Sequence, residues 1–146
     1  ADFLERTGYR LPPEAEWEYG CRAGTATPRF FGHTDDMMSF YAWFAENSKG
    51  KSWPVAELKP NGFGLFDVYG NELEWCVDPY RKEPLGEADP VIDQPRVQQA
   101  NLFVTRGGAF ISRAGSLRSA SRTRAIPTAG LFNLGFRVAR TMPRER

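Results

Sequence analysis

Eight glycines and prolines fall between residues 24 and 64: Gly24, Pro28, Gly32, Gly50, Pro54, Pro60, Gly62 and Gly64. Spaced in this way they leave no room for a long amphipathic helix or a long strand. The stretch must pack as loops around Trp43, Trp53 and several phenylalanines. Inside it the spacing predicts a short helix near Asp35 to Tyr41 and a short strand from Val55 to Leu58. With 146 residues, of which 41% are apolar and 25% charged, the chain is expected to bury a core as a single domain over residues 1–146. That composition excludes a disordered tail, a coiled coil and a collagen-like repeat. No apolar run reaches the roughly 18 residues that would span a bilayer, so no membrane insertion is expected. The opening Ala-Asp-Phe-Leu-Glu has no leader character, and a piece of a longer protein is expected.

Regular structure is predicted on either side of the loops. Residues 1–7 read as the end of a helix with Phe3 and Leu4 on its apolar side, stopped by Gly8. A helix is predicted from about Pro13 to Arg22, closed by Gly24, because a proline early in a helix loses no internal hydrogen bond. Glu14, Glu16 and Glu18 suit the positive end of its dipole. Trp17 and Cys21, four apart, share its buried face. Gly64 to Asp78 alternates apolar and polar residues around Gly70-Asn71, which reads as strand, turn, strand. Residues 79–96 read as a surface excursion, and Leu102 to Arg106 and Gly135 to Arg140 as late strands. The class is α+β with low regular secondary structure.

Little conventional active-site chemistry is visible. Cys21 and Cys76 sit among apolar neighbours, which favours free packed thiols over a disulfide, and with free thiols a cytoplasmic location. Neither has CxxC spacing, and the single histidine, His33, allows no histidine-rich metal site. Charge is uneven: residues 1–105 carry 10 basic and 17 acidic side chains, residues 106–146 nine and one. The basic part is also rich in apolar residues, so the favoured reading is two halves neutralising each other. Nucleic-acid binding, which needs arginines and aromatics on one exposed face, is disfavoured.

Four segments resemble one family. Tyr9-Arg10-Leu11-Pro12-Pro13-Glu14-Ala15-Glu16-Trp17-Glu18-Tyr19, the run from Pro60 to Trp75 containing Asn61-Gly62-Phe63-Gly64-Leu65 and Gly70-Asn71-Glu72-Leu73-Glu74-Trp75, then Arg106-Gly107-Gly108, then Gly135-Phe136-Arg137, follow the order and rough spacing of the formylglycine-generating enzyme, or sulfatase-modifying factor, family. The resemblance implies a C-type-lectin-like fold of that family's type, with long irregular segments around a small antiparallel sheet. It also implies that the usual N-terminal part of the domain is missing from this chain.

The family's enzymes bind copper(I) through a cysteine pair shortly after the Arg-Gly-Gly-like turn, since that metal requires soft thiolates. Here Ser112 stands where the first cysteine is expected, and no cysteine follows Cys76. The resemblance therefore points away from an enzyme, no cofactor is required, and an oxidase relative with active residues outside this chain is the alternative. A structural or regulatory domain of a bacterial signalling protein is a further alternative. The family's structural calcium at the Gly-Asn-x-x-Glu turn maps onto Asp67, Gly70, Glu72 and Glu74, an oxygen-only set that suits the ion. A hydrogen-bonded turn without metal is the competing reading.

Residues 109–136 keep the family's Leu117-Arg118-Ser119-Ala120-Ser121-Arg122 and Gly135-Phe136-Arg137, while the usual asparagines between are mostly replaced. This resembles the variable proteins of diversity-generating retroelements, whose mutagenised NNY codons cannot encode Lys, Glu, Gln, Met or Trp. All five are absent from residues 109–136. The implied function is a non-catalytic binding domain for a protein or other macromolecular ligand. Its candidate contact residues are Phe110, Ile111, Ser112, Arg113, Ser116, Ser121, Thr123, Arg124, Ala125, Leu131 and Phe132. Arg118, Arg122 and Arg137 are expected to anchor the loop on carboxylates of the acidic half, with Phe136 as an apolar anchor.

Overall fold

The computed structural model describes residues 6–82 and 102–142. Its elements are short. Strand β1 (Tyr9–Arg10) precedes helix α1 (Glu14–Arg22), and β2 (Ala42–Trp43), β3 (Tyr69–Gly70) and β4 (Leu73–Pro79) follow. The second half supplies β5 (Phe103–Arg106), β6 (Thr123–Ala125), β7 (Leu134–Phe136) and β8 (Ala139–Arg140). A four-stranded sheet in the order β6-β5-β4-β7 forms the centre, flanked by the two-stranded pairs β1-β8 and β2-β3. The central sheet is small, as expected, with antiparallel β5-β6 and β4-β5 pairs, but β7 joins β4 in parallel. Among the described residues no helix is long and apolar enough to cross a membrane.

Helix α1 forms where its prolines and glutamates place it. The Glu14 N–H, one of the donors a helix start leaves unsatisfied, is taken by the Asp78 carboxylate at 2.6 Å. Ala23 ends the helix in the left-handed region (φ 49), with its N–H on the Tyr19 carbonyl, so the stop falls one residue before Gly24. Trp17 and Cys21 do share the buried face. They join Met38, Ala42, Phe44, Val68, Tyr69, Cys76, Val104 and Leu117 in one core.

Several local expectations change in the fold. The predicted helix at Asp35 to Tyr41 contracts to a single 3-10 turn, Met38–Phe40. Val55 to Leu58 is turn, not strand. The alternation around Gly70-Asn71 gives two strands that do not pair with each other: β3 pairs with β2, and β4 with β5 and β7. Gly70 decides this, because it has φ 71 and a Cβ there would overlap the Trp43 carbonyl oxygen. The chain can cross β2 this closely only without a side chain. Gly135 to Arg140 likewise divides into β7 and β8, which serve different sheets. Arg6 and Thr7 are helical and Gly8 (φ 70) stops them, whereas Phe3, Leu4 and most of residues 79–96 lie outside the described residues.

Candidate functional site

After β5 the chain turns through Gly107 (φ 90) and Gly108 (φ 74) into a loop that returns to the sheet only at β6. Its main chain is held from beneath. Arg106, 2% exposed, donates from Nη1 to the carbonyls of Ser119 at 2.9 Å and Ser121 at 2.8 Å, and its guanidinium is ion-paired with Glu14 and Glu18. Arg29, 4% exposed, donates to the carbonyls of Leu117 and Ala114, each at 2.8 Å, and pairs with Asp35. The hydroxyls of Tyr69 and Ser119 share a hydrogen bond of 2.7 Å. Leu117 and Ser119 are therefore buried while Ser116, Arg118 and Ala120 between and beside them face solvent. Arginines suit this work because one planar head reaches several acceptors at once.

The candidate contact residues divide. Ile111, Arg113, Ser116, Thr123, Arg124, Leu131 and Phe132 are exposed, Phe132 by 75%. Ser112 and Ser121 are half-buried, and Ser112 Oγ accepts the Ala109 N–H at 2.9 Å. Phe110 and Ala125 are buried and belong to the interior. Phe110 nevertheless gathers the surface: its ring meets Phe132 edge-on at 6.0 Å, which brings residues 131 and 132 beside residues 110–113. Thr123, Arg124 and Ala125 lie on β6, at the sheet edge opposite β7, with Arg124 stacked 4.9 Å over Tyr80.

The expected anchors are corrected in two places. Arg122 pairs with Glu14 and Arg137 with Glu74, as expected. Arg118 is exposed and, among the described residues, holds no carboxylate; Arg106 and Arg29 do the anchoring instead. Phe136 is 64% exposed and anchors nothing from the interior. A buried asparagine also escaped the sequence reading: Asn71 accepts the Trp53 N–H at 2.9 Å through Oδ1, donates to the Trp53 carbonyl at 3.0 Å, and receives the Phe110 N–H on its own carbonyl at 2.8 Å. Its signal was the Gly-Asn pair, since φ 55 at Asn71 is a conformation asparagine tolerates.

The candidate cation turn lines a cavity of about 590 Å³ that includes Phe66, Asp67, Asn71, Glu72, Glu74 and Arg137. Asp67 Oδ2 takes the Ala56 N–H, but Asp67 Oδ1 and Glu72 Oε2 are buried without a hydrogen-bond partner. Burial pushes the Glu72 carboxyl above its ordinary value. Glu74 is already engaged, by Arg137 through both oxygens and by Trp17 Nε1 at 2.6 Å. Orphaned carboxylate oxygens fit a hard cation. Among the described residues no three acidic, histidine or cysteine side chains converge on a point able to hold a metal, so Asp67 would need the carbonyls of Gly70 and Glu72 beside it.

Copper does not fit. Cys21 and Cys76 are both free and buried, burial pushes the Cys21 thiol up to about 11, and burial likewise raises Cys76. Thiols held protonated in the core offer no soft ligand pair.

The sulfatase-modifying factor enzyme 1-like domain matches residues 1–142. The formylglycine-generating enzyme of Streptomyces coelicolor is 32% identical across 90% of this chain and 46% of its own length. Among solved structures, the Treponema denticola variable protein 1 superimposes with a TM-score of 0.80 and 35% identity, over 89% of this chain and 46% of that one. PvdO from Pseudomonas aeruginosa gives 0.82 and 31%, over 96% and 56%. The chain thus spans about half the length of these proteins. The structural neighbours have the C-type-lectin-like fold expected from the motifs, and the described residues of this chain follow it with short strands, small sheets and long connecting loops. Because the match runs through every element from β1 to β8, the chain belongs to the sulfatase-modifying factor, or formylglycine-generating enzyme, family.

Proposed function

We propose that this chain is a non-catalytic ligand-binding domain, a variable protein of the diversity-generating retroelement kind, which presents residues 111–132 to a protein or other macromolecular partner. One observation carries the reading: the main chain of residues 114–121 is tied to buried Arg29 and Arg106 through its carbonyls, while the neighbouring side chains point into solvent. Main-chain anchoring does not depend on which side chains the loop bears, so the surface can change without loss of fold. Ser112 in place of a copper thiolate, with its hydroxyl spent on the Ala109 N–H, supports a role other than oxidation.

Calcium in this reading is structural, seated by Asp67 and the carbonyls of Gly70 and Glu72, while Glu74 stays with Arg137 and Trp17. It would neutralise the orphaned oxygens of the cavity and stiffen the turn that carries Asn71.

The test is a combinatorial library at Ile111, Arg113, Ser116, Thr123, Arg124, Leu131 and Phe132, scored for folding by protease resistance and then for binding to chosen proteins. Most members should fold, and members should differ in what they bind. A library that mostly unfolds overturns the reading. A reverse transcriptase gene and a near-copy of the codons for residues 109–136 nearby in the genome would support it independently.

A further inference from the structure

We infer that the binding face extends onto a second, basic loop, residues 48–53, and that its partner is an acidic protein segment; this rests on the ligand-binding reading above. Loop 48–53 is joined to the proposed contact residues by hydrogen bonds on both flanks. Ser48 Oγ donates to the Phe110 carbonyl at 2.9 Å, and the Ala45 N–H donates to the Ser112 carbonyl at 3.0 Å. At the far end Asn71 clamps the Trp53 main chain in both directions while its carbonyl holds the Phe110 N–H. One buried residue, through its side chain on one side and its main-chain carbonyl on the other, therefore sets the position of both loops. The turn between them is made by the left-handed pair Lys49 (φ 60) and Gly50 (φ 70).

The chemistry of the joint surface points to its partner. Lys49, Lys51 and Arg113 are exposed, and among the described residues none of them forms an ion pair. Glu46 is the exposed acid of the same segment. Ile111, Leu131 and Phe132, exposed by 49%, 44% and 75%, stand on the segments that Phe110 links to this loop, through Ser48 on one side and the Phe132 ring on the other. Unpaired cations bordering a protruding apolar cluster match a protein surface that offers carboxylates around an apolar centre. A nucleic acid is disfavoured by the tryptophans. Trp53 is stacked on Trp43 at 4.6 Å and covered by Lys51 Nζ at 4.3 Å, so its ring is occupied and offers no platform for a base. That stack holds Lys51 in place, so less side-chain freedom is lost when a carboxylate binds it.

The experiment uses the whole chain and a random linear peptide library on phage. The tightest selected peptide is then synthesised, labelled, and titrated by fluorescence anisotropy. The selected peptides should combine Asp or Glu with apolar residues, and binding should weaken with salt. The K49A/K51A double variant should weaken binding about tenfold or more and flatten the salt dependence. K49R/K51R should retain it, and Arg140→Ala, on exposed β8 in the separate β1-β8 pair, should leave it unchanged. Circular dichroism of each variant checks the fold. Binding that is lost in F132S but unaffected by K49A/K51A overturns this inference and leaves the ligand-binding reading standing. Peptides whose binding is indifferent to both sites overturn both. Displacement of the peptide by oligothymidylate at equal or lower concentration than by unlabelled peptide overturns the acidic-protein partner.

Discussion

The Arg106 guanidinium donates to the Ser119 carbonyl at 2.9 Å, so the last residue of β5 fixes the main chain of a loop thirteen residues further on. The same head group faces Glu14 and Glu18 of α1 and lies 5.5 Å over the Trp17 ring. Helix, sheet and loop meet at this one side chain.

Its removal should therefore be costly. Arg106→Ala strips the Ser119 and Ser121 carbonyls of this donor and leaves Glu14 with Arg122 alone and Glu18 with Arg22 alone, and should cost about 3 kcal/mol or more. Arg118→Ala, on an exposed side chain, should stay within about 0.5 kcal/mol. Urea denaturation of both variants separates the buried anchor from its exposed sequence neighbour, and equal costs would contradict the arrangement.

Calcium should raise the melting temperature if it binds the folded state at the Asp67 turn. Asp67→Asn should abolish the increment with little other effect, since Oδ2 can still be replaced as acceptor for Ala56. Glu74→Ala is the less clean variant because it also strips Arg137 and Trp17 of their acceptor. A parent protein whose melting temperature ignores calcium favours the metal-free turn.

Formylglycine production from a Cys-x-Pro-x-Arg peptide should be undetectable with copper and a reductant. Ser112→Cys should not restore it, because one thiolate at residue 112 has no partner thiolate and Cys21 and Cys76 lie in the core. Copper-dependent turnover by the parent protein would refute the non-catalytic reading.

Acid stability has two opposing parts. Burial would raise the Glu18 carboxyl, but hydrogen bonds and charge from Arg22 and Arg106 outweigh it and hold the group below its ordinary value. A carboxylate depressed by folding stabilises fully above its unfolded value, and that stabilisation is lost as pH falls through the folded one. Glu72 and Asp78 are raised, chiefly by burial, so their ionisation costs stability that returns as pH falls through their raised values. Denaturation midpoints should hold or rise slightly on acidification from neutrality, then drop below the ordinary carboxylate range. Glu18→Gln should shrink that drop, and a steady fall from neutrality in the parent would contradict the assignment.

The sequence alone determined what depends on residues close together in the chain. Prolines, glutamates and the four-residue spacing of Trp17 and Cys21 specify α1 and its buried face, because helix geometry repeats over a few residues. The strand at 102–106 and the Gly-Asn turn were legible for the same reason, as were the family's motifs and the missing thiolate at residue 112. Tertiary structure decided the partners. Alternation around Gly70-Asn71 is the same for a hairpin as for two strands in different sheets, and only the close passage of Gly70 against Trp43 selects the second. Burial divided chemically similar residues: Phe110 became interior and Phe132 surface, Arg106 anchor and Arg118 exposed. Loop 48–53 joins the candidate site through Asn71 and Phe110, residues distant in sequence. Periodicity and turn chemistry are local properties, whereas which face meets which neighbour is set by contacts across the whole chain.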